Sequence, residues 1–255
     1  VTVGRWEAVL RDNAFEDDGC ICLAPGTDDV KQQAMAFSEW CEESQVDVVA
    51  GINSVAILSA LPHLPEHIRV IARCANSHAD GLQANTLGKE RLARVVAVAP
   101  WQVGELVNGY GVPEDKIWLI ANGSAEYPIS EVRSKGDDSR LKLAFVGRLT
   151  HHHKGALFLP GILGYSRAAG VGFSASIAGD GVHGRALERR LRRLGLASSV
   201  SLCGRLSSTE VPGLLSKSDV FLFPSQSEGS PNALLEALMA GCVPVAWRLE
   251  GITDF

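Results

Sequence analysis

Residues 219–241 read DVFLFPSQSEGSPNALLEALMAG, and the fold turns on this stretch. An apolar, aromatic run gives way to a polar loop, and the loop to an alanine- and leucine-rich segment, the pattern of a strand followed by a helix. Ser230 fits the N-cap, Pro231 the first helical position, and Gly241 the left-handed residue that closes a helix. Such a loop presents the free N–H groups of the first helical turn at the carboxyl end of a strand, where they favour oxygen-rich or anionic ligands.

Working outward, short apolar runs at 141–146, 172–178, 200–203, 220–223 and 243–247 alternate with helical stretches. Strand and helix alternating in this way imply right-handed crossovers and a parallel sheet, with ligands at the ends of the strands. The first half repeats the alternation more faintly, at 46–51, 68–72, 95–99 and 117–120. Between the halves, 124–140 is polar, carries Pro128 and includes Lys135, Gly136, Asp137 and Asp138, the composition of a linker. The expected class is α/β, with two Rossmann-like lobes at 1–123 and 141–255 and no internal repeat.

The chain has 255 residues, 46% of them hydrophobic, enough for a large core. Its net charge of -5 gives no general attraction to nucleic acid, which is not expected as a partner. The six cysteines (20, 22, 41, 74, 203 and 242) show neither a staple framework nor zinc-ligand spacing and read as reduced thiols of a cytoplasmic protein. No signal peptide is visible, and the longest apolar stretch, 46–61, is interrupted by Asp47, Asn53 and Ser54, too polar to span a bilayer. With Val1 first and Phe255 directly after a strand and a glycine turn, both ends read as cut.

Several residues carry chemistry. Glu236 sits among Ala233, Leu234, Leu235, Ala237, Leu238 and Met239. A helix apolar nearly all round is buried, so its one carboxylate needs a partner, and a ribose or sugar diol is a suitable one. The alternative is a solvent-facing helix former. Glu228 lies in the loop, where glutamates are commonly solvated, and Gly229 lets a ligand approach the backbone. Arg148 and Lys154 follow a strand ending in Gly147 and project from the ligand edge of the sheet, or else are surface charges.

Three further signals are weighed and set aside. Gly179-Asp-Gly-Val-His-Gly184 matches the Gly-x-Gly-x-x-Gly fingerprint, but the next strand ends Cys203-Gly204-Arg205 without the acid that would hold a ribose. His151, His152 and His153 are consecutive and cannot easily converge on one ion, so no metal is expected. The helix at 185–194 carries Arg185, Arg189, Arg190, Arg192 and Arg193 beside Leu187, Leu191 and Leu194. It reads as a solvated face, with peripheral docking on anionic lipid as the alternative.

Glu228 and Glu236, with seven residues between them, stand in a segment that resembles the signature of the retaining glycosyltransferase family four, which has the GT-B fold. Phe145-Val-Gly-Arg-Leu149, Lys154-Gly155, Ile177-Ala-Gly-Asp-Gly181, Leu194-Gly-Leu196 and Cys203-Gly204 are similar to it, and Gly111-Val-Pro-Glu-Asp-Lys-Ile117 through Asn122-Gly123 resembles the end of that family's N-terminal domain. The resemblance covers roughly 68–254. It implies that Glu236 holds the ribose and Glu228 the donor sugar, with Gly229, Ser230, Pro231 and Asn232 lending backbone contacts. Arg148 and Lys154, after Gly147, would clamp the diphosphate, and Arg205 would border the base.

His78, in Arg73-Cys-Ala-Asn-Ser-His-Ala-Asp80 after a strand, is the candidate to face the sugar, with Asn76 as the alternative occupant and a structural histidine as the other reading. No cofactor or metal is implied. The partners would be a UDP-, GDP- or ADP-linked sugar and a glycan or lipid-linked acceptor, in the cytoplasm or peripherally at the membrane. Departures from the pattern are Pro160, Gly161 and Gly164 in what should be a smooth helix, and unrecognised first and last elements. A sugar-nucleotide epimerase and a non-catalytic sugar-nucleotide-binding module are the rival readings.

Overall fold

The computed structural model describes residues 2–3, 22–23, 26–75, 79–124, 140–249 and 252. The chain divides into two compact units, Val1–Ala121 and Asn122–Phe255. Residues 125–139, most of the expected linker, and residues 76–78 lie outside the described residues.

In the first unit, β1 (Thr2–Val3) and β2 (Cys22–Leu23) pair in parallel. The main sheet has four parallel strands in the order β3 (Val48–Ile52), β4 (Arg69–Cys74), β5 (Leu92–Ala97), β6 (Ile117–Leu119). The helices α1 (Val30–Glu43), α2 (Val55–Ala60), α3 (Ala79–Ala84) and α4 (Pro100–Gly104) are interspersed along the chain. Helix α1 starts where Asp29 accepts from the N–H of Lys31 at 2.8 Å, an N-cap worth about 1 kcal/mol. The core gathers Phe37, Leu58, Leu61, Val70, Ala72, Val95 and Leu106 around the sheet.

The second unit holds β7 (Leu141–Val146), α5 (Leu159–Ala168), β8 (Phe173–Ala178), α6 (Gly184–Arg193), β9 (Val200–Gly204), α7 (Val211–Leu215), β10 (Val220–Phe223), α8 (Asn232–Met239) and β11 (Val243–Ala246). All pairings are parallel, in the order β11-β10-β7-β8-β9. Alternation along β7 explains the layers. Leu143 and Phe145 face a core with Leu159 and Leu163 of α5 and Leu187 and Leu191 of α6. Ala144 faces the other core, with Leu215 of α7 and Leu234 and Ala237 of α8. Apolar residues on both faces of one strand require helices on both sides, and each fully buried Phe or Leu contributes roughly 1.5–3 kcal/mol.

The chain runs outward from β7 to β8 and β9, then returns to the other side of β7 for β10 and β11. Strand order therefore reverses between β7 and β10. Their adjacent carboxyl ends form the crevice in which doubly wound sheets bind ligands.

Helix α5 accommodates its proline by starting late. A single 3-10 turn covers Ala156–Phe158, so Pro160 falls in the first turn of α5, where a missing N–H costs nothing, and no interior kink is needed. Helix α6 buries Leu187 and Leu191 and exposes its arginines. Two sequence expectations for α8 need correction. The helix begins at Asn232 with Pro231 at the N-cap, one residue later than expected, and Ser230 does not cap it. The helix is also not buried all round: Leu234 and Ala237 are buried, but Leu238 and Met239 are exposed. It packs by one stripe only, and that stripe is set by the neighbours it meets.

Candidate functional site

Two loops meet at the switch point, 147–155 after β7 and 224–231 after β10. Gly155 makes their approach. It holds φ 63°, and a Cβ there would lie 1.9 Å from the carbonyl oxygen of Pro224, so only glycine fits. Gln226 then stitches the loops, donating from its backbone N–H to the His153 carbonyl at 2.8 Å and from Nε2 to the His151 carbonyl at 2.7 Å.

This places Lys154 Nζ 2.7 Å from Glu228 Oε1. The carboxylate side chain is 8% exposed and the lysine 21%. Lys154 also lies over the Phe223 ring, 5.8 Å from its centroid. Arg148, one residue beyond Gly147, is exposed, and among the described residues its guanidinium has no partner. It is a cation available at the mouth of the crevice.

The loop after β10 is held from outside as well. Asn122, the first residue of the second unit, donates from Nδ2 to the Ser230 carbonyl at 2.7 Å and to Asn232 Oδ1 at 2.8 Å. The helix starts one residue late because Pro231 is extended (φ -79°, ψ 109°) and acts as the cap, and its carbonyl accepts the first helical bonds, from Leu234 and Leu235. The far end of α8 closes as expected. Gly241 has φ 74° and donates to Leu238, and Cys242 donates to Ala237, the paired bonds of a Schellman motif.

Buried hydroxyls and a ring nitrogen gather here without hydrogen-bond partners: Thr150 Oγ1, His151 Nδ1, Ser225 Oγ and Ser230 Oγ. Leaving such a group unpaired costs about 1–3 kcal/mol, and their concentration in the two switch-point loops marks a place where a polar ligand would complete the hydrogen bonding. Burial and then the neighbouring His152, His183 and Arg190 hold the His151 imidazole below its ordinary titration range, so it is neutral at pH 7. Glu236, on the second turn of α8, is half-buried with its pKa raised by burial, and among the described residues its carboxylate has no partner.

The predicted site residues thus fall into groups. Lys154, Glu228, Gly229, Ser230, Pro231 and Asn232 are joined directly by the two loops and their contacts, and Gly147, Arg148 and Glu236 lie on the same strand ends or the helix that leaves them. Arg205 is exposed at the end of the edge strand β9, and no described contact brings it to Lys154 or Glu228. His78 lies outside the described residues. Sequence reasoning missed Asn122, Thr150 and Ser225 as site residues. The only signal for Asn122 was its Asn-Gly pairing after a strand, which reads as a turn.

The glycines of the 179–184 turn serve packing. A Cβ on Gly179 would lie 1.9 Å from the Gly147 carbonyl oxygen, and one on Gly181 2.8 Å from that of Leu149. The turn rests on the loop after β7, with Leu149 donating to Asp180 and His183 donating to Leu149. Among the described residues no group of three or more His, Cys, Asp or Glu side chains could hold a metal ion.

Residues 140–255 match the family model described as glycosyl transferases group 1. The 2-deoxystreptamine glucosyltransferase of Streptomyces kanamyceticus is 30% identical over 112 residues, 44% of this chain and 29% of that protein. The putative colanic acid biosynthesis glycosyltransferase WcaL of Salmonella typhimurium is 30% identical over 150 residues, 56% of this chain and 37% of that protein. The matched stretch thus spans about a third of the curated relatives' length. Among solved structures, HepE of Anabaena in complex with UDP-glucose gives a TM-score of 0.72 at 17% identity, covering 95% of this chain and 71% of that one. At that identity the likeness carries the fold, which is of the GT-B type.

Proposed function

We propose that this chain, whose residues 140–255 match the family model for group 1 glycosyl transferases, belongs to a retaining enzyme that moves a sugar from a nucleoside diphosphate donor to a glycan or lipid-linked acceptor. The observation that carries the reading is the convergence at the β7/β10 switch point of Lys154, Glu228, the amide end of α8 and a set of unpartnered buried hydroxyls. Diphosphate oxygens suit the ammonium and the helix amides, and sugar hydroxyls suit the carboxylate. HepE, of like fold, binds UDP-glucose, which makes a uridine donor the first to test.

In this reading Arg148 and Lys154 hold the diphosphate and neutralise the charge that grows on it as the anomeric bond breaks. Glu236 accepts from the ribose hydroxyls and Glu228 from the sugar. The anomeric carbon develops oxocarbenium character, and the departing phosphate takes the acceptor proton on the same face. Fixed cations and the helix end do the work a metal would otherwise do. Trapping a covalent glycosyl-enzyme would refute the same-face path.

Calorimetric titration with UDP, GDP and ADP, with and without magnesium, tests the site. Binding of one nucleotide independent of magnesium, weakened by Lys154→Ala and by Glu236→Ala, is expected. A folded chain that binds none of the three refutes the reading.

A further inference from the structure

Lys154 and Glu228 are assigned to different parts of the donor, yet they hold each other at 2.7 Å, with the carboxylate almost fully enclosed. One ammonium can donate to both partners, but only by bringing two anions close together. A phosphate oxygen that shares Lys154 with Glu228 Oε1 would stand about 4.5 Å from that carboxylate oxygen, the separation of two acceptors on one tetrahedral donor. At that distance like charges repel appreciably, since the pair sits away from bulk water.

We propose that Glu228 is a charge gate on the diphosphate subsite, which makes the site prefer a sugar nucleotide to the bare nucleoside diphosphate; the proposal rests on the donor-site reading above. With a donor bound, a sugar hydroxyl donates to Glu228 and takes the place of Lys154, which is released to the diphosphate. With the sugar gone, the carboxylate loses that hydroxyl and reclaims the lysine. The product is penalised a second time. Its terminal phosphate is held only by the anhydride and carries about one more negative charge at pH 7 than the same phosphate esterified to a sugar. That charge sits on the phosphate next to the sugar, the one closest to Glu228. Sugar and diphosphate are therefore coupled through a shared cation, and transfer of the sugar itself weakens the hold on the product.

Among the described residues no second cation pairs with the carboxylate. Lys154 is its ion-pair partner, Phe223 contributes a ring face to the lysine, and Arg148 is exposed at the mouth. Gln at 228 keeps the shape and removes the charge, so the lysine becomes fully available to phosphate.

The test is a calorimetric titration of wild type, Glu228→Gln and Lys154→Ala with UDP and with UDP-glucose, and with the GDP and ADP pairs if the uridine compounds do not bind. Wild type should bind the sugar nucleotide more tightly than the diphosphate. In Glu228→Gln, diphosphate affinity should rise roughly tenfold or more, the size of one like-charge contact at this range in a partly screened site, while sugar-nucleotide affinity stays level or falls. In Lys154→Ala, both ligands should weaken, and the sugar nucleotide should remain the tighter of the two, because the Glu228 carboxylate is left unscreened beside the diphosphate. If Glu228→Gln binds the diphosphate no better than wild type, or shifts both ligands alike, the gate is refuted and the donor-site reading stands. If wild type binds no nucleotide, the reading and the gate fall together. Near-ultraviolet circular dichroism and a melting curve on each variant separate a binding change from unfolding, and Glu228→Ser provides a second uncharged side chain if Gln misfolds.

Discussion

Gly155→Ala should be the most damaging small substitution in the second unit. Its φ of 63° costs an L-residue about 1–2 kcal/mol, before any contact is counted. The new methyl carbon would stand 1.9 Å from the Pro224 carbonyl oxygen, 2.8 Å from its carbon and 3.1 Å from Phe158 Cδ2. Ordinary contact needs more than about 1 Å of separation between the two loops, since neither Pro224 backbone atom can rotate away. That movement strains the Gly155 N–H to His151 and Phe158 N–H to Gly155 bonds and draws Lys154 off Glu228.

The sum is roughly 2–4 kcal/mol, or a fall of about 6–15 °C in the melting temperature of a unit of this size. Losing the aim of one charge-assisted contact should also weaken nucleotide binding by roughly 10–100-fold. Scanning calorimetry and titration measure both. Gly161→Ala is the internal control. Gly161 is exposed in the first turn of α5, and a Cβ there meets nothing within 4 Å, so alanine should stabilise by about 0.5–1 kcal/mol. Equal and small effects at the two positions would refute the close-approach argument.

Three other perturbations separate structure from function. Burial raises the folded-state pKa of Glu236, so its ionisation costs stability: full stability holds below the unfolded pKa and declines as pH rises through the folded one. Glu236→Gln should therefore raise the melting temperature at pH 7, with the gain vanishing by about pH 4, while nucleotide binding is lost; a gain that grows on acidification would contradict this. Asn122→Ala removes two hydrogen bonds to the 230–232 loop and should cost about 1–2 kcal/mol and weaken nucleotide binding, both measurable in one titration and melt series. Cys203 is exposed whereas Cys41, Cys74 and Cys242 are buried, and burial pushes the Cys74 thiol up to about 12. A thiol reagent should label Cys203 well ahead of those three in the folded protein, as peptide mapping would report.

The strands of the second unit were legible because each is a short apolar run between turn signals. The structure returns 141–146 and 220–223 with the same bounds, since strands buried on both faces leave little room for error. In the first unit the expected 46–51 and 95–99 shifted by about two residues, at 48–52 and 92–97, because the sequence continues apolar beyond the paired register. The start of α8 was misread for a different reason. Local capping rules favour Ser230, but the cap falls at Pro231, next to a carbonyl that accepts from Asn122, 108 positions earlier. A bond that distant leaves no local pattern. Ser225 and Thr150 were invisible likewise, because a serine or threonine in a loop becomes notable only when packing closes over its hydroxyl and supplies no partner.

The unpartnered groups and the enclosed ion pair are costly in the same region, and that coincidence is informative. A fold selected for stability alone would give Ser225 and Ser230 a partner and would leave no half-buried, unpaired carboxylate on α8. It would also avoid glycines in strained conformations pressed against neighbouring backbone. Instead the second unit concentrates these features at the reversal of its strand order and packs conventional apolar cores on both sides of the sheet. Those cores bear the cost, which leaves the crevice free to be arranged for a ligand. The arrangement is polar, with Arg148 and Lys154 on the loop after β7 and Glu228 and Glu236 on the loop and helix after β10, a mix that suits a diphosphate joined to sugars. The chemistry of the proposed ligand can therefore be read from the groups that the crevice leaves unsatisfied.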